Sequence, residues 1–369
     1  MQCKHFGFCG ACNLYNLDYE KQLQEKSKKV SELIEYENIT IFDSPKQNYR
    51  ARAEFRIWHD GDECSYAMTN MDKNGVIKIQ ECKMVLKPII NRMWKLLEII
   101  NSSEILKRKL FGVEFLSSTL DDVLVTMLYH KKLDDDWIAQ AKELEKILKV
   151  KIIGRSRGQK LVLSKEYIAE ELNVDNSKYR YIQYDGGFTQ PNPKVNEKMI
   201  SWAKEKASSV GYGDLLESYC GLGNFTLPLS SCFDKVLATE VSKKSIYNAL
   251  ENCKINDIHN ISFIRLSSEE MSEALSGDRE FNRLKDINLK EFNFSCVLVD
   301  PPRAGLDSDT INLISKIEYI IYISCNPQTL ARDLETLTTT HNILDGAVFD
   351  QFPYTNHIES GVFLKRFSK

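Results

Sequence analysis

Cys3, Cys9 and Cys12 stand as Cys-x5-Cys-x2-Cys within Cys-Lys-His-Phe-Gly-Phe-Cys-Gly-Ala-Cys, a density that packing does not explain. The opening residues Met1-Gln2-Cys3-Lys4-His5 carry no secretory signature, so a cytoplasmic chain with reduced thiols is expected. Its ten cysteines are therefore read for metal binding or catalysis rather than for disulfides. Cys220, Cys232, Cys253 and Cys296 read as buried apolar residues, the commoner fate of a lone cysteine. Cys325 differs by address. In Tyr322-Ile323-Ser324-Cys325-Asn326-Pro327 it ends an apolar run and precedes a proline able to open a helix, whose terminal amides are expected to stabilise a thiolate. The unusual run Phe349-Asp350-Gln351-Phe352-Pro353-Tyr354-Thr355-Asn356-His357-Ile358-Glu359 is expected to be a loop folding back over the same edge to deliver one carboxylate, Glu359.

Leu215-Leu216-Glu217-Ser218-Tyr219-Cys220-Gly221-Leu222-Gly223-Asn224-Phe225 puts glycines at a strand-to-helix turn, where backbone approaches a ligand closely. Glu240 ends the next strand, seventeen residues after Gly223, where an acid can accept hydrogen bonds from both ribose hydroxyls. The third glycine of Gly-x-Gly-x-x-Gly is missing, and Tyr219 and Asn224 crowd the turn. A nucleoside without phosphates, S-adenosylmethionine, fits better than a dinucleotide, although a purely structural glycine turn reads equally well from this motif alone. Val299-Asp300-Pro301-Pro302-Arg303 follows another strand, and its two prolines fix a rigid shelf.

One cysteine and one carboxylate suffice for a particular reaction. C5 of uracil is a poor nucleophile; a thiolate adding to C6 makes an enolate that can take a sulfonium methyl group at C5. A base must then remove the C5 proton so that the thiolate can leave. No metal is needed.

The elements that must position these groups are legible as periodicities. Leu17 to Tyr36 has a helical stripe of Leu23, Val30, Leu33 and Ile34, and Lys87 to Ile100 and Asp135 to Leu148 are further helices. Tyr49 to His59 alternates, with Ala51, Ala53, Phe55 and Ile57 facing one way and Arg50, Arg52, Glu54 and Arg56 the other. Strand runs are expected at Ile77 to Cys82, Val113 to Leu116, Val123 to Tyr129 and Leu161 to Leu163. Beyond Asp185-Gly186-Gly187 short apolar strands at Leu215 to Tyr219, Val236 to Thr239, Ile261 to Arg265, Cys296 to Val299 and Ile320 to Ser324 alternate with helices such as Lys244 to Ile255 and Thr329 to Leu337, the pattern of a parallel sheet covered on both faces. Gly346 to Phe349 and Gly361 to Leu364 lie too close for a crossover and are expected to pair antiparallel.

A chain of 369 residues exceeds one ordinary core, and three divisions are expected: 1–45 as cysteine cluster and helix, 46–184 as an α+β RNA-binding domain, and 185–369 as an α/β catalytic domain. Hydrophobic content of 43% and charged content of 27% exclude wholesale disorder, and no apolar run approaches the roughly 18 residues of a membrane helix. The net charge of -3 conceals an asymmetry: residues 1–184 carry 30 Lys+Arg against 27 Asp+Glu, and residues 185–369 carry 19 against 25. A polyanion would meet basic patches in the first half.

Together these motifs resemble the RNA uracil-5-methyltransferases, the tRNA-modifying branch most closely. The resemblance runs from about Tyr49 to the end and includes Tyr49-Arg50-Ala51-Arg52-Ala53-Glu54-Phe55-Arg56, Tyr129-His130-Lys131-Lys132-Leu133-Asp134-Asp135 and Phe188-Thr189-Gln190-Pro191-Asn192 as well as the motifs above. It implies a Rossmann-like class I S-adenosylmethionine-dependent domain, with Cys325 as nucleophile and Glu359 as proton acceptor. It also implies Gln190, Tyr219, Asn224, Glu240 and Asp300 as contacts to S-adenosylmethionine. The implied product is 5-methyluridine at position 54 of the tRNA T-loop, with the matching loop of tmRNA as a second substrate and no obligate protein partner; the uridine must be flipped out to be reached. Arg50, Arg52, Arg56, Phe111 and His130 are expected RNA contacts, with weaker claims for Lys107, Arg108, Lys109 and Lys131, although a solvated face is the plainer reading of any one of them. The N-terminal cysteines depart from that branch and resemble those of the 23S rRNA uracil-5-methyltransferases, which implies a [4Fe-4S] cluster on Cys3, Cys9, Cys12 and Cys82, with structural zinc as the competing occupant. Alternatives are a 23S rRNA uracil-5-methyltransferase and an iron-sulfur RNA-binding or RNA-folding protein without turnover.

Overall fold

The structure, a computed structural model, describes residues 2–368. Helix α1 (Tyr19–Ile34) and strand β1 (Ile39–Phe42) come first. Then follow β2 (Arg52–Asp60), β3 (Glu63–Thr69), β4 (Val76–Lys78), α2 (Lys87–Asn101), α3 (Glu104–Lys107), β5 (Leu110–Ser117), β6 (Val123–Tyr129), α4 (Asp135–Leu148), β7 (Lys151–Ser156) and β8 (Gln159–Val162). A hairpin of β9 (Tyr167–Val174) and β10 (Ser177–Tyr184) leads to α5 (Pro193–Val210), β11 (Asp214–Ser218), α6 (Thr226–Leu229), β12 (Val236–Thr239), α7 (Lys243–Ile255) and β13 (Ile261–Ile264). The chain ends through α8 (Ser268–Ser276), β14 (Phe294–Val299), α9 (Ser308–Ile314), β15 (Tyr319–Ser324), α10 (Pro327–Leu337), β16 (His341–Phe349) and β17 (Glu359–Arg366).

Strands β2 to β8 make a seven-stranded sheet in the order β4-β3-β2-β5-β6-β7-β8. In β2 the alternation holds: Ala53, Phe55 and Ile57 are buried against Tyr66, Met93 and Trp137, while Glu54 and Arg56 are exposed. The second sheet runs β1-β16-β17-β15-β14-β11-β12-β13. From β13 to β15 it is parallel, and β17 pairs antiparallel with both β15 and β16. Alternation again sorts the faces. Leu215, Leu298, Ile321 and Phe349 pack against Trp202 of α5, whereas Leu216, Val297, Tyr322 and Val348 pack against Leu330 and Leu334 of α10 and Val30 and Ile34 of α1. Each such side chain contributes about 1.5–3 kcal/mol by leaving water. The result is a doubly wound, Rossmann-like sheet whose strand order reverses between β11 and β14, where open α/β folds gather ligands at the carboxyl ends of the strands.

Several expectations need correction. The strand expected at Ile77 to Cys82 shrinks to Val76–Lys78: Ile79 still donates to Tyr66 O on the same register, but the chain bends at Gln80 and leaves Cys82 on a loop. Glu359 is not on the loop but is the first residue of β17, paired with Phe349. Cys232 is only half-buried, at the exposed end of a 3-10 turn. The α1 stripe is also shifted: its deepest residues include Gln22 and Lys26, not Leu23 and Leu33. No helix is long and apolar enough to cross a membrane among the described residues.

Candidate active site

Four parallel strands end at one edge, and their following residues line a cavity of about 690 Å³: Tyr219 and Gly221 after β11, Glu240 after β12, Asp300, Pro301, Pro302 and Arg303 after β14, and Cys325 after β15. Gln190 enters from the segment before α5 and Glu359 from the start of β17. At the glycine turn, Gly221 has φ 57° and a Cβ there would meet nothing within 4 Å, so that side is open to a ligand. Gly223, at φ 88°, has no room for a Cβ because Leu227 fills that space. Tyr219 itself is left-handed, at φ 64°. Glu240 accepts from the backbone N–H of Gly221 at 3.1 Å and of Ser242 at 2.8 Å, which aims its carboxylate along the cavity wall.

Asn224 is not brought into this lining. Its side chain exchanges two hydrogen bonds with Asn196 of α5, at 2.9 and 2.7 Å, which ties the glycine turn to that helix. The other expected cofactor contacts, Gln190, Tyr219, Glu240 and Asp300, share the cavity with Cys325 and Glu359.

The antiparallel ladder of β15 and β17 ends on Ser324 opposite Ser360, and Ser360 Oγ donates to Ser324 O at 3.2 Å. Cys325 directly follows that last pair and Glu359 directly precedes it; both line the cavity, and the Glu359 charge acts on the thiol. Asn326, which caps α10, donates from Nδ2 to Arg303 O at 3.0 Å and locks the cysteine turn to the proline shelf.

The electrostatics favour neutral groups. Burial, then the nearby Glu359 and Asp300, push the Cys325 thiol up to about 11, with Arg303 opposing them. Burial first, and the two acids after it, thus work against the thiolate expected at the start of α10 and favour the thiol. Burial raises Asp300 to about 7, and burial with the Asp300 charge holds Glu359 well above the usual carboxylate range. An incoming positive charge would reverse the balance for all three.

Sequence reasoning missed Arg155 and Lys160, which reach the same cavity from β7 and β8 and both pair with Asp185, Lys160 at 3.0 Å. Arg155 also lines a second cavity of about 630 Å³ with Phe111, His130, Lys131, Lys132 and Arg157. There Phe111 and His130 stack with centroids 4.0 Å apart. Of the basic strand face, Arg56 is exposed, whereas Arg52 donates to Gly187 O at 2.8 Å and Arg50 to Arg52 O at 2.8 Å. Arg50 lies outside β2 and also sits over the Phe352 ring. Arg108 and Lys109 are exposed, but Lys107 is buried, bonded to Asp62 O at 2.9 Å and paired with Glu104, and Lys131 Nζ donates to Ile105 O at 3.0 Å.

Cys3, Cys9, Cys12 and Cys82 line a third cavity, of about 490 Å³. The N-terminal segment is stitched to the end of β3 by Gly10 N to Thr69 O at 3.0 Å and to the loop of Cys82 by Gln80 N to His5 Nε2 at 2.9 Å. Burial pushes the Cys82 thiol up to about 11, with Cys3 and Cys9 adding to it. Among the described residues no group of three or more His, Cys, Asp or Glu is drawn close enough to hold a metal ion.

The profile of the tRNA (Uracil-5-)-methyltransferase family matches residues 18–367, leaving Cys3, Cys9 and Cys12 outside its span. A protein of Sulfurovum sp. (strain NBC37-1) named tRNA/tmRNA (uracil-C(5))-methyltransferase is 61% identical over 99% of this chain and 100% of its own length. One of the same name from a Nitratiruptor species is 52% identical over 99% of this chain and 100% of its own. Among solved structures, the Pyrococcus abyssi tRNA (uracil-54, C5)-methyltransferase in complex with S-adenosyl-L-homocysteine superposes with a TM-score of 0.71 at 24% identity, over 96% of this chain and 85% of that one, a likeness of fold. The doubly wound sheet, the motifs at its carboxyl edge and the profile match agree: the chain belongs to the tRNA (uracil-5-)-methyltransferase family.

Proposed function

We propose that this protein methylates C5 of a uridine in tRNA, at position 54 of the T-loop, and in the corresponding loop of tmRNA. The observation that carries this reading is that Cys325, at the end of β15, and Glu359, at the start of β17, line one cavity with Gln190, Tyr219, Glu240 and Asp300. S-adenosylmethionine, when bound, supplies the methyl group on a sulfonium. Glu240 would take the ribose hydroxyls, and the proline shelf would hold the flipped base over Cys325. Cys325 loses its proton to water and bonds to C6; C5 takes the methyl group, leaving the donor as a neutral thioether; Glu359, once ionised, removes the C5 proton, the C5–C6 double bond re-forms, and the C6–S electron pair returns to Cys325. Incubation with unmodified tRNA and labelled S-adenosylmethionine, followed by mapping of the methylated nucleotide, tests this. Label at another nucleotide of the tRNA, or none at all while 23S rRNA offered in a parallel reaction is labelled, would overturn it.

The stacked Phe111 and His130 and the basic residues around them suit an unstacked base and its phosphates. Arg56 extends that surface. Arg56→Ala will weaken tRNA binding across sequences and reduce the slope of log affinity against log salt by about 1. Binding that keeps its wild-type salt slope would remove Arg56 from the interface.

For the four cysteines the proposal is a [4Fe-4S] cluster with a structural role, since the methyl transfer moves no net electrons. The four thiols line one cavity without being drawn together as ligands, so what supports the reading is their number and softness, which suit a cluster and also zinc. Anaerobically purified protein is expected to be brown and to contain iron and sulfide, both lost in Cys9→Ser. Colourless protein with one zinc per chain would decide for zinc.

A further inference from the structure

We propose that Lys26, together with Tyr19 and Gln22 on the same face of α1, positions the 350–358 segment that delivers Glu359, and thereby governs release of the product rather than methyl transfer. Lys26 and Asp350 form an ion pair at 2.7 Å with only 4% and 2% of their side chains exposed. Lys26 Nζ also donates to Phe352 O at 3.0 Å. Tyr19 donates its hydroxyl to Asp350 Oδ2 at 2.8 Å, and Gln22 Oε1 accepts from Tyr354 N at 2.9 Å. Lys26 is one helical turn from Val30 and two from Ile34, which are both apolar core. Packing alone gives no reason for an ammonium there, because apolar residues of like volume serve a core as well or better than a buried ion pair.

What the pair does provide is a fixed path. Asp350 directly follows Phe349, whose partner across the sheet is Glu359, so the segment is a closed loop with Glu359 at its far end. Tyr49 adds a hydrogen bond to Pro353 O at 3.0 Å, and Arg303 holds His357 at 3.1 Å. The half of the loop nearer Asp350 is thus pinned by α1, and the half nearer Glu359 by the proline shelf. Loosening the first half leaves Cys325, the glycine turn and the shelf in place, since none of them touches α1 among the contacts above. It frees the chain next to Phe349, the residue whose pairing seats Glu359 at the head of β17, and a displacement of about 1 Å of that pair costs on the order of 10²-fold in a step that needs contact.

This inference rests on the function proposed above, in which Glu359 acts only after methyl transfer. Single-turnover reactions of the full chain with tRNA and labelled S-adenosylmethionine would follow two quantities: methyl incorporated, and the protein–RNA species that survives denaturing electrophoresis. In Lys26→Met and Tyr19→Phe, methyl incorporation should stay within a few-fold of wild type while release slows by about 10- to 100-fold, so the methylated covalent species accumulates. Merely destabilised protein would slow both in proportion and accumulate nothing; that outcome overturns the proposal. Tyr19→Phe removes a single hydroxyl and decides the matter if Lys26→Met does not fold. Glu359→Gln is the reference. If it traps no adduct, the reading of Glu359 fails and takes the proposal with it; if it traps one and the α1 variants do not, the proposal alone fails.

Discussion

Glu359→Gln will methylate its RNA once and then hold it, with turnover reduced about 10²–10⁴-fold and a covalent protein–RNA species visible after denaturation. Cys325→Ala will show neither methylation nor adduct, because without addition at C6 the ring never becomes a nucleophile at C5. The contrast follows from two residues of one cavity with different duties: one makes the bond to the ring, and the other takes the proton that must go before that bond can break. Wild-type enzyme given tRNA with 5-fluorouridine at the target should stop at the same species, since fluorine does not leave as a cation. The pH dependence has a definite sign. Burial and the Asp300 charge hold the Glu359 proton well above the usual carboxylate range, and the Cys325 thiol sits at about 11, so both needed anions become more abundant as pH rises. Turnover should climb from neutral into alkaline pH, and a rate that falls across that range would contradict the assignment. Turnover in Cys325→Ala, or an adduct mapped to Cys220 or Cys296, would displace the nucleophile.

These residues were legible in the sequence because the chemistry of a parallel sheet collects where strands stop. Tyr219, Glu240, Asp300 and Cys325 each follow a short apolar run that ends on a turn residue, and the fold needs only to be doubly wound for them to meet. Glu359 was legible as a carboxylate but not as the opening residue of a strand, since its place there depends on pairing with Phe349 of β16 rather than on its own neighbours. Asn224 shows a bond that its own neighbours do not foretell: its amide is matched to that of Asn196, far away in the sequence.

What stayed hidden depends on partners far away in the chain. Gln22 and Lys26 look like the solvated face of an amphipathic helix, and only Asp350 and Tyr354 explain their burial. Ile39–Phe42 is too short to announce a strand, and becomes one by pairing parallel with the exposed edge of β16. Its position puts chain from before β2 into the same sheet as Cys325, which composition and charge gave no means to foresee. The basic face of β2 was read as uniform, yet Arg52 is engaged with the Gly187 carbonyl and Arg56 is not. Alternation assigns residues to a face; it does not say which side chains a neighbouring segment will occupy.

Glu217 is the second residue whose replacement should have a large effect, this time on stability. It lies in the middle of β11 with 1% exposure, and neither its Oε2 nor the nearby Thr226 Oγ1 has a hydrogen-bond partner of good geometry. Burial lifts its carboxyl from 4.5 to about 8, opposed in part by Thr226 and reinforced by Asp300. A folded state that holds the proton more tightly than the unfolded chain binds more protons between those two values, so stability is present in full below about 4.5 and is lost as pH rises through about 8. The loss from this one group is on the order of 4–5 kcal/mol, at about 1.36 kcal/mol for each unit between the two values. Glu217→Gln keeps the shape and removes the titration. Without S-adenosylmethionine it should match the wild type in denaturant unfolding at pH 5, exceed it by several kcal/mol at pH 9, and flatten the fall of stability between them. If the two proteins lose stability in parallel over that range, Glu217 does not carry the buried proton, and Asp300, raised to about 7 at the neighbouring strand end, is the group to replace next.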